Sequence, residues 1–264
     1  MKYTLGFIGV GNMGSALLYA ALRTVDADKI AICDQDTAKT ESLAQAYGVA
    51  VTTAEEIAAN ASFVILGVKP YGVEGMIQTF LPHLHAEATI VSMAAGVSLG
   101  EISRYLGDDE KSIIRIMPNT PCTVGMGVIQ YAAMNISEDK KASFVSAFSA
   151  AGLLDEIAEG QIDAASALSG CGPAFVYLFA EALADGAVEC GLPRDKAILY
   201  AAKTLQGAGK MLEEYRSAGD LKDAVCSPGG TTIAGVHALE KGGLRGAVMD
   251  AVVAAYEKTL KLKS

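Results

Sequence analysis

Leu5-Gly6-Phe7-Ile8-Gly9-Val10-Gly11-Asn12-Met13-Gly14 decides the fold of the first half of the chain. Leu5 to Gly9 reads as a buried strand. Gly9 to Gly14 fits the spacing G-x-G-x-x-G, and an apolar run from Ser15 to Leu22 reads as a helix. Glycine has no Cβ, so the turn can be tight and a pyrophosphate can approach the helix N-terminus. Unpaired N–H groups and the positive dipole end favour an anion there. Strand, glycine turn and helix in this order predict dinucleotide binding.

Lys29-Ile30-Ala31-Ile32-Cys33 reads as a second strand, and Asp34 follows it. A carboxylate at this point can hold a ribose 2′-hydroxyl and repel a 2′-phosphate, which favours NADH. Thr37 and Lys39 can still bind a phosphate, so NADPH stays open. Asp34 or Asp36 could instead cap the helix that begins near Thr37. Further strands are expected at 48–51, 63–68, 89–93 and 113–117, then at 127–131 and 152–157. A helix from Ser137 to Ala150 is expected between the last two. The alternation of strands and helices predicts a parallel sheet with helices on its faces. Ligands in such sheets bind beyond the C-terminal strand ends. Three segments stand there: Gly67-Val68-Lys69-Pro70, Ala94-Ala95-Gly96 and Met117-Pro118-Asn119-Thr120-Pro121. Lys69 offers a cation, or is a solvated charge. Ala95 and Gly96 leave room for a flat ring against the backbone. Asn119 could bind substrate or a cofactor carboxamide, or satisfy local backbone groups.

From Gln161 the β-branched runs give way to long Ala- and Leu-rich helical stretches. The expected division is a dinucleotide-binding domain over residues 1–160 and an all-helical domain over residues 161–264. Ser169-Gly170-Cys171-Gly172-Pro173 breaks one helix and starts another. The new helix, Ala174 to Glu189, is apolar on nearly every face, which predicts burial all round and association with a second subunit. Further helices are expected from Arg194 to Tyr215, Asp220 to Cys226, Ile233 to Glu240 and Leu244 to Leu262. Ser227-Pro228-Gly229-Gly230-Thr231-Thr232 lies between two of them. Pro228 stops the first, and the glycine amides can approach a ligand closely. Thr231 and Thr232 sit where the next helix opens, beside its unpaired N–H groups. This suits a small carboxylate, with a hydroxyl at hand. A plain interhelical turn with threonine as the N-cap is the alternative.

The chain has 264 residues, 51% of them hydrophobic, and a formal net charge of −9. That is ample for a core, and the acidic balance without a basic run argues against nucleic acid as a partner. No charged leader or long apolar span precedes the first strand, so neither an export signal nor a membrane helix is expected. The five cysteines lack metal-ligand spacing and fit reduced thiols in a cytoplasm. His83 and His85 have no acidic or thiol partner at a telling spacing, so no metal site is expected.

Three segments together resemble the pyrroline-5-carboxylate reductase family, and the resemblance covers essentially the whole chain. The most specific runs from Leu221-Lys222-Asp223 through Ser227–Thr232 to Glu240. Leu168-Ser169-Gly170-Cys171-Gly172-Pro173-Ala174 resembles that family's hinge before the dimerisation helices. Gly6 to Met13, with Val68-Lys69-Pro70, Ala94-Ala95-Gly96 and Pro118-Asn119-Thr120-Pro121, is similar to its cofactor domain. The resemblance implies reduction of 1-pyrroline-5-carboxylate to L-proline with NADPH or NADH. It implies a Rossmann domain followed by an all-α dimerisation domain, an interlocked homodimer and, in some members, a ring of five dimers. It implies cofactor contacts from Gly9, Gly11, Asn12, Met13, Asp34, Val68, Lys69, Pro70, Ala95 and Gly96. Substrate contacts fall to Asn119, Gly229, Gly230, Thr231 and Thr232, with the loop supplied by the other subunit. Two positions depart from the family pattern and bear on cofactor preference. Ala224 stands where some members carry asparagine, and Asp34 where several NADPH-preferring members carry serine or an Asn/Arg run.

The residues agree with imine chemistry. A cyclic imine nitrogen can carry a proton near neutral pH, so reduction is mainly a matter of positioning. The amides of Gly230, Thr231 and Thr232 suit the carboxylate, and the Thr232 hydroxyl suits the nitrogen, as proton donor or relay. A Tyr-x-x-x-Lys pair, which protonates a carbonyl oxygen, occurs at none of the ten tyrosines, and no lysine lies between Lys141 and Lys196. Alcohol–ketone chemistry lacks its usual acid. Two other readings remain at this level: reduction of a six-membered cyclic imine, and a non-catalytic dinucleotide sensor.

Overall fold

A computed structural model describes residues 1–261. Leu262, the expected end of the last helix, lies outside the described residues. The described residues form two compact units, one of residues 1–170 with residues 256–261, the other of residues 171–255.

The first unit contains β1 (Tyr3–Ile8), α1 (Asn12–Ala21), β2 (Ile30–Cys33), α2 (Thr37–Tyr47), β3 (Ala50–Val51), α3 (Ala54–Asn60) and β4 (Ala61–Leu66). It continues with α4 (Val73–Phe80), β5 (Thr89–Ser92), α5 (Leu99–Leu106), β6 (Ile113–Pro118), β7 (Gly127–Met134), α6 (Glu138–Phe148), β8 (Gly152–Glu156) and α7 (Ile162–Ser169). The eight strands form one sheet in the order β3-β2-β1-β4-β5-β6-β7-β8. Strand order reverses at β1, which pairs with β2 on one side and β4 on the other. That reversal opens a crevice at the C-terminal ends of these strands.

The strands are apolar on both faces because helices cover both. Side chains alternate at period two. Phe7, Ile32 and Ile65 therefore pack on one face with Leu17 and Leu18 of α1 and with Phe144 and Phe148 of α6. Ile8, Val64 and Ile90 pack on the other with Ile57, Ile77 and Ile102. Each such side chain, fully buried, contributes about 1.5–3 kcal/mol. Polar caps start the helices: Ser137 accepts from the Lys140 amide, and Ser98 forms a capping box with Glu101.

The sheet departs from the all-parallel expectation at its last two strands, which both run opposite to the rest. β7 runs antiparallel to β6, and β8 parallel to β7. Only residues 119–126 join β6 to β7, and they form a short 3₁₀ turn ending at Gly125, whose φ is +77°. A parallel return needs a crossover of about a dozen residues or more, so the chain turns back directly.

Polar contacts tie α7 to the sheet. Arg115 on β6 pairs with Asp163, and Gln130 on β7 donates from Nε2 to Ser169 Oγ at 2.8 Å. The compact unit therefore extends to Gly170, whereas the change in sequence texture falls at Gln161.

The second unit holds α8 (Gly172–Glu189), α9 (Arg194–Tyr215), α10 (Ala218–Ala224), α11 (Thr231–Lys241) and most of α12 (Leu244–Lys261). α8 packs on α9 through Ala184, Ala197 and Ala201. In the single chain Val176, Tyr177 and Leu178 of α8 are exposed, as are Ile198, Leu199 and Tyr200 of α9. The sequence reading expects no membrane helix, yet the helical run from Glu159 to Glu189 is long and apolar enough to cross a membrane by length and composition alone. Within this run Ile162 and Ala167 are buried in the first unit, whereas Val176, Tyr177 and Leu178 form an exposed apolar surface of the kind that marks an interaction site.

Candidate active site

The glycine turn after β1 is set by contacts within the protein at three glycines and by none at a fourth. Gly9 has φ +97°, and its N–H donates to the Cys33 carbonyl at 2.8 Å. A Cβ on Gly14 would lie 2.4 Å from the Gly9 carbonyl oxygen, and one on Gly67 only 2.3 Å from it. A Cβ on Gly9 would meet the Gly67 backbone at 2.8 Å. The fold itself therefore requires glycine at these positions. A Cβ on Gly11 would meet nothing within 4 Å. The space a side chain would fill there is open, and it lies at the start of α1. Gly11 takes the N-cap position of α1 without a side-chain cap, so the amides of Asn12 and Met13 open an uncapped helix. These residues fit a dinucleotide pyrophosphate.

Gly9, Gly11, Asp34, Val68 and Lys69 line one cleft of about 480 Å³, together with Cys33, Gln35, Gly67, Tyr71 and Met76. That volume lies in the range of about 300–1,000 Å³ typical of small-ligand sites. The two acids after β2 divide their roles. Asp36 caps α2, accepting the Lys39 amide at 3.1 Å. Asp34 does not cap a helix. Its Oδ2 accepts the Val10 amide at 2.7 Å and its Oδ1 the Asp36 amide at 3.0 Å. The carboxylate is thus held between the glycine turn and the end of β2, at the edge of the cleft.

Lys69 is exposed and makes no ion pair among the described residues. Pro70 begins a 3₁₀ turn, Pro70–Gly72. Tyr71, in that turn, is 92% exposed at the cleft rim. The sequence reading missed it; the signal was an aromatic residue directly after Lys69-Pro70 in a strand-end loop. Cys33 lies deeper. Burial, the adjacent Asp34 charge and Glu55 push its thiol up to about 11, against a lowering pull from the Gly9 backbone.

After β5, the Ala94 amide donates to Ser92 Oγ at 3.3 Å and Gly96 takes φ +80°. Ala95 and Gly96 are half-buried, and their side chains are the smallest available. Asn119 behaves differently from the expectation that its side chain contacts substrate or cofactor. It is buried, its Nδ2 donates to the Ser169 carbonyl at 3.0 Å, and its Oδ1 accepts the Val128 amide at 2.9 Å. Both ends of the amide hold the β6–β7 turn and α7 in place. The backbone-satisfying alternative is the one the structure realises.

In the second unit, Ser227–Thr232 forms a tight turn. Gly229 has φ +69°, and the Gly230 amide donates to the Ser227 carbonyl at 3.0 Å. A Cβ on Gly230 would lie 2.4 Å from Ser227 Oγ. Gly230, and not a threonine, takes the N-cap position of α11, and no side chain caps it. Thr231 and Thr232 are exposed in the first turn. The simple threonine cap is therefore absent, and the first N–H groups of α11 face outward with two hydroxyls beside them.

The family model for pyrroline-5-carboxylate reductase dimerisation matches residues 159–262, and one described as NADP oxidoreductase, coenzyme F420-dependent, matches residues 4–96. A pyrroline-5-carboxylate reductase of Glycine max is 37% identical over 266 residues, spanning 99% of this chain and 96% of its own. The chain belongs to the pyrroline-5-carboxylate reductase family. Solved pyrroline-5-carboxylate reductase structures share its fold from end to end. That of Coxiella burnetii is 32% identical with a TM-score of 0.90, each chain covered at 100%. The Plasmodium falciparum pyrroline carboxylate reductase, solved with NADP bound, is 32% identical with a TM-score of 0.85, again with both chains covered at 100%. The family's two parts, cofactor fold and dimerisation helices, are both present here.

Proposed function

We propose that this protein reduces 1-pyrroline-5-carboxylate to L-proline with NADPH or NADH, the last step of proline biosynthesis. The observation that carries the reading beyond family membership is the start of α11. There Gly230 stands at the cap position without a side-chain cap, and Thr231 and Thr232 are exposed. A carboxylate bound at that point satisfies helix amides that the chain itself leaves unpaired.

The nicotinamide cofactor, when bound, supplies the hydride. The chain does the rest. The turn from Gly9 to Met13 holds the pyrophosphate, and Asp34 stands by the adenosine ribose. Val68, Lys69 and Pro70 would flank the cofactor, and Ala95 with Gly96 would give its nicotinamide ring small residues to lie against. The amides of Gly230, Thr231 and Thr232 orient the substrate carboxylate. As a C–H bond forms at the imine carbon, the C=N electron pair moves to nitrogen, which takes a proton from the Thr232 hydroxyl while that hydroxyl recovers one from water. The acting unit is a homodimer. A second copy covers the apolar faces of α8 and α9 and brings its Ser227–Thr232 loop to the cofactor. The resemblance leaves a ring of five dimers open as a larger assembly, and the compartment that fits reduced thiols is the cytoplasm.

Cofactor oxidation by purified protein tests the reading. Turnover is expected with 1-pyrroline-5-carboxylate and slower turnover with the six-membered homologue. Cofactor binding without turnover of either imine would replace the reductase reading with that of a dinucleotide sensor.

A further inference from the structure

Arg115 has the largest fully buried side chain among the described residues. It sits on β6, on the sheet face it shares with Ile113 and Met117. Nη1 lies 3.2 Å from Glu159 Oε1, and Nη2 lies 3.0 Å from Asp163 Oδ1. Nε is buried without a hydrogen-bond partner. Burying a guanidinium in an apolar layer is unfavourable unless it is paired, and packed apolar residues would often hold the same layer as well. The cluster therefore calls for an explanation in geometry as well as in stability.

Glu159 supplies one. The Oε1 atom that pairs with Arg115 also accepts the Leu99 amide at 2.7 Å. Leu99 opens α5, three residues beyond Gly96. A single carboxylate oxygen thus links a rigid side chain in the sheet to the backbone that follows Ala95 and Gly96. Arg115 is fixed on its other side by Asp163, which is itself buried. A planar fork held at two carboxylates is a stiffer reference point than a lysine would be.

We propose that Arg115 and Glu159 are positioning residues that set the height of the Ala95–Gly96 backbone against the nicotinamide ring. This rests on the placement of that ring given above. The two residues touch neither cofactor nor substrate. They act through the Leu99 amide, and their effect falls on the nicotinamide end of the cofactor and not on its adenosine end.

The test compares two ligands on the full-length protein: NADPH and 2′-phospho-ADP-ribose, which lacks the nicotinamide, or NADH and ADP-ribose if the enzyme prefers NADH. Glu159→Ala is expected to weaken the dinucleotide about ten-fold and to lower kcat, with the nicotinamide-free ligand unchanged. Glu159→Asp, which withdraws the acceptor by one methylene, should show the same selective loss and serves if the alanine variant does not fold. Glu159→Gln keeps an acceptor oxygen for Leu99 and should restore dinucleotide affinity. Equal weakening of both ligands, or no weakening of either, would overturn the proposal. Ala95→Leu separates the two readings. If it leaves dinucleotide affinity intact, the ring does not lie on Ala95 and both readings fall. If it weakens the dinucleotide alone while Glu159→Ala and Glu159→Asp do not, only the positioning role falls.

Discussion

Asp34 Oδ2 lies 2.7 Å from the Val10 amide nitrogen, so the acid that follows β2 holds the glycine turn that follows β1. One carboxylate serves the fold and faces the cofactor cleft. Its negative charge opposes a 2′-phosphate, and its free lone pairs can accept a ribose hydroxyl. Asp34→Ser should therefore move the ratio of kcat/KM for NADH and NADPH toward NADPH by about ten-fold, equivalent to roughly 1.4 kcal/mol. An unchanged ratio would show that Asp34 serves the turn alone.

The glycines of the cleft separate into those the fold needs and one the ligand needs. A Cβ on Gly67 would collide with the Gly9 carbonyl oxygen at 2.3 Å, between two backbones that cannot rotate aside. Gly67→Ala should lose about 3 kcal/mol of stability by overpacking. A Cβ on Gly11 meets no protein atom within 4 Å. Gly11→Ala should stay within about 1 kcal/mol of the parent, the cost of alanine at an N-cap, yet lose cofactor affinity. Thermal unfolding and cofactor titration on the two variants check this. Normal cofactor affinity in Gly11→Ala would remove the pyrophosphate from that turn.

Thr232 carries the proton in the proposed reaction, and it stands in the first turn of a helix that no side chain caps. Thr232→Ala should lower kcat about 100-fold, the lower range for loss of a general acid, while cofactor affinity stays nearly unchanged. Thr232→Ser keeps the hydroxyl and should retain most of the rate. Wild-type turnover in the alanine variant would leave the proton to water.

Much of this was legible in the sequence because local chemistry and global fold agree. The alternation of strands and helices, the turn from Gly9 to Gly14 and the Ser137 cap all follow from short-range rules. Three features were not. The reversal of β7 depends on how few residues join it to β6, and the propensity of β7 itself is the same in either direction. Asn119 reads as a site residue by its position at a strand end, yet its partners, Val128 and Ser169, are fixed only by tertiary folding. Arg115 lies in an apolar strand, Ile-Ile-Arg-Ile-Met-Pro, where a charge signals a buried partner without naming it. Glu159 and Asp163 lie more than forty residues further along the chain.

Cys33 lines the cofactor cleft, and its thiol is pushed up to about 11, first by burial and then by the Asp34 charge. Both disfavour the thiolate, so the neutral thiol persists through the physiological range. The thiolate is the nucleophile. With a pKa about three units above pH 8, roughly 0.1% of Cys33 is reactive there, and that share rises ten-fold with each pH unit until the pKa is approached. Exposed Cys190 has no such burial. Peptide mapping after iodoacetamide treatment at pH 8 should find Cys190 modified and Cys33 largely intact. Cys33 labelling should grow steeply between pH 9 and 11 and fall again when cofactor occupies the cleft. Equal labelling of the two at pH 8 would show that Cys33 ionises as an ordinary exposed thiol.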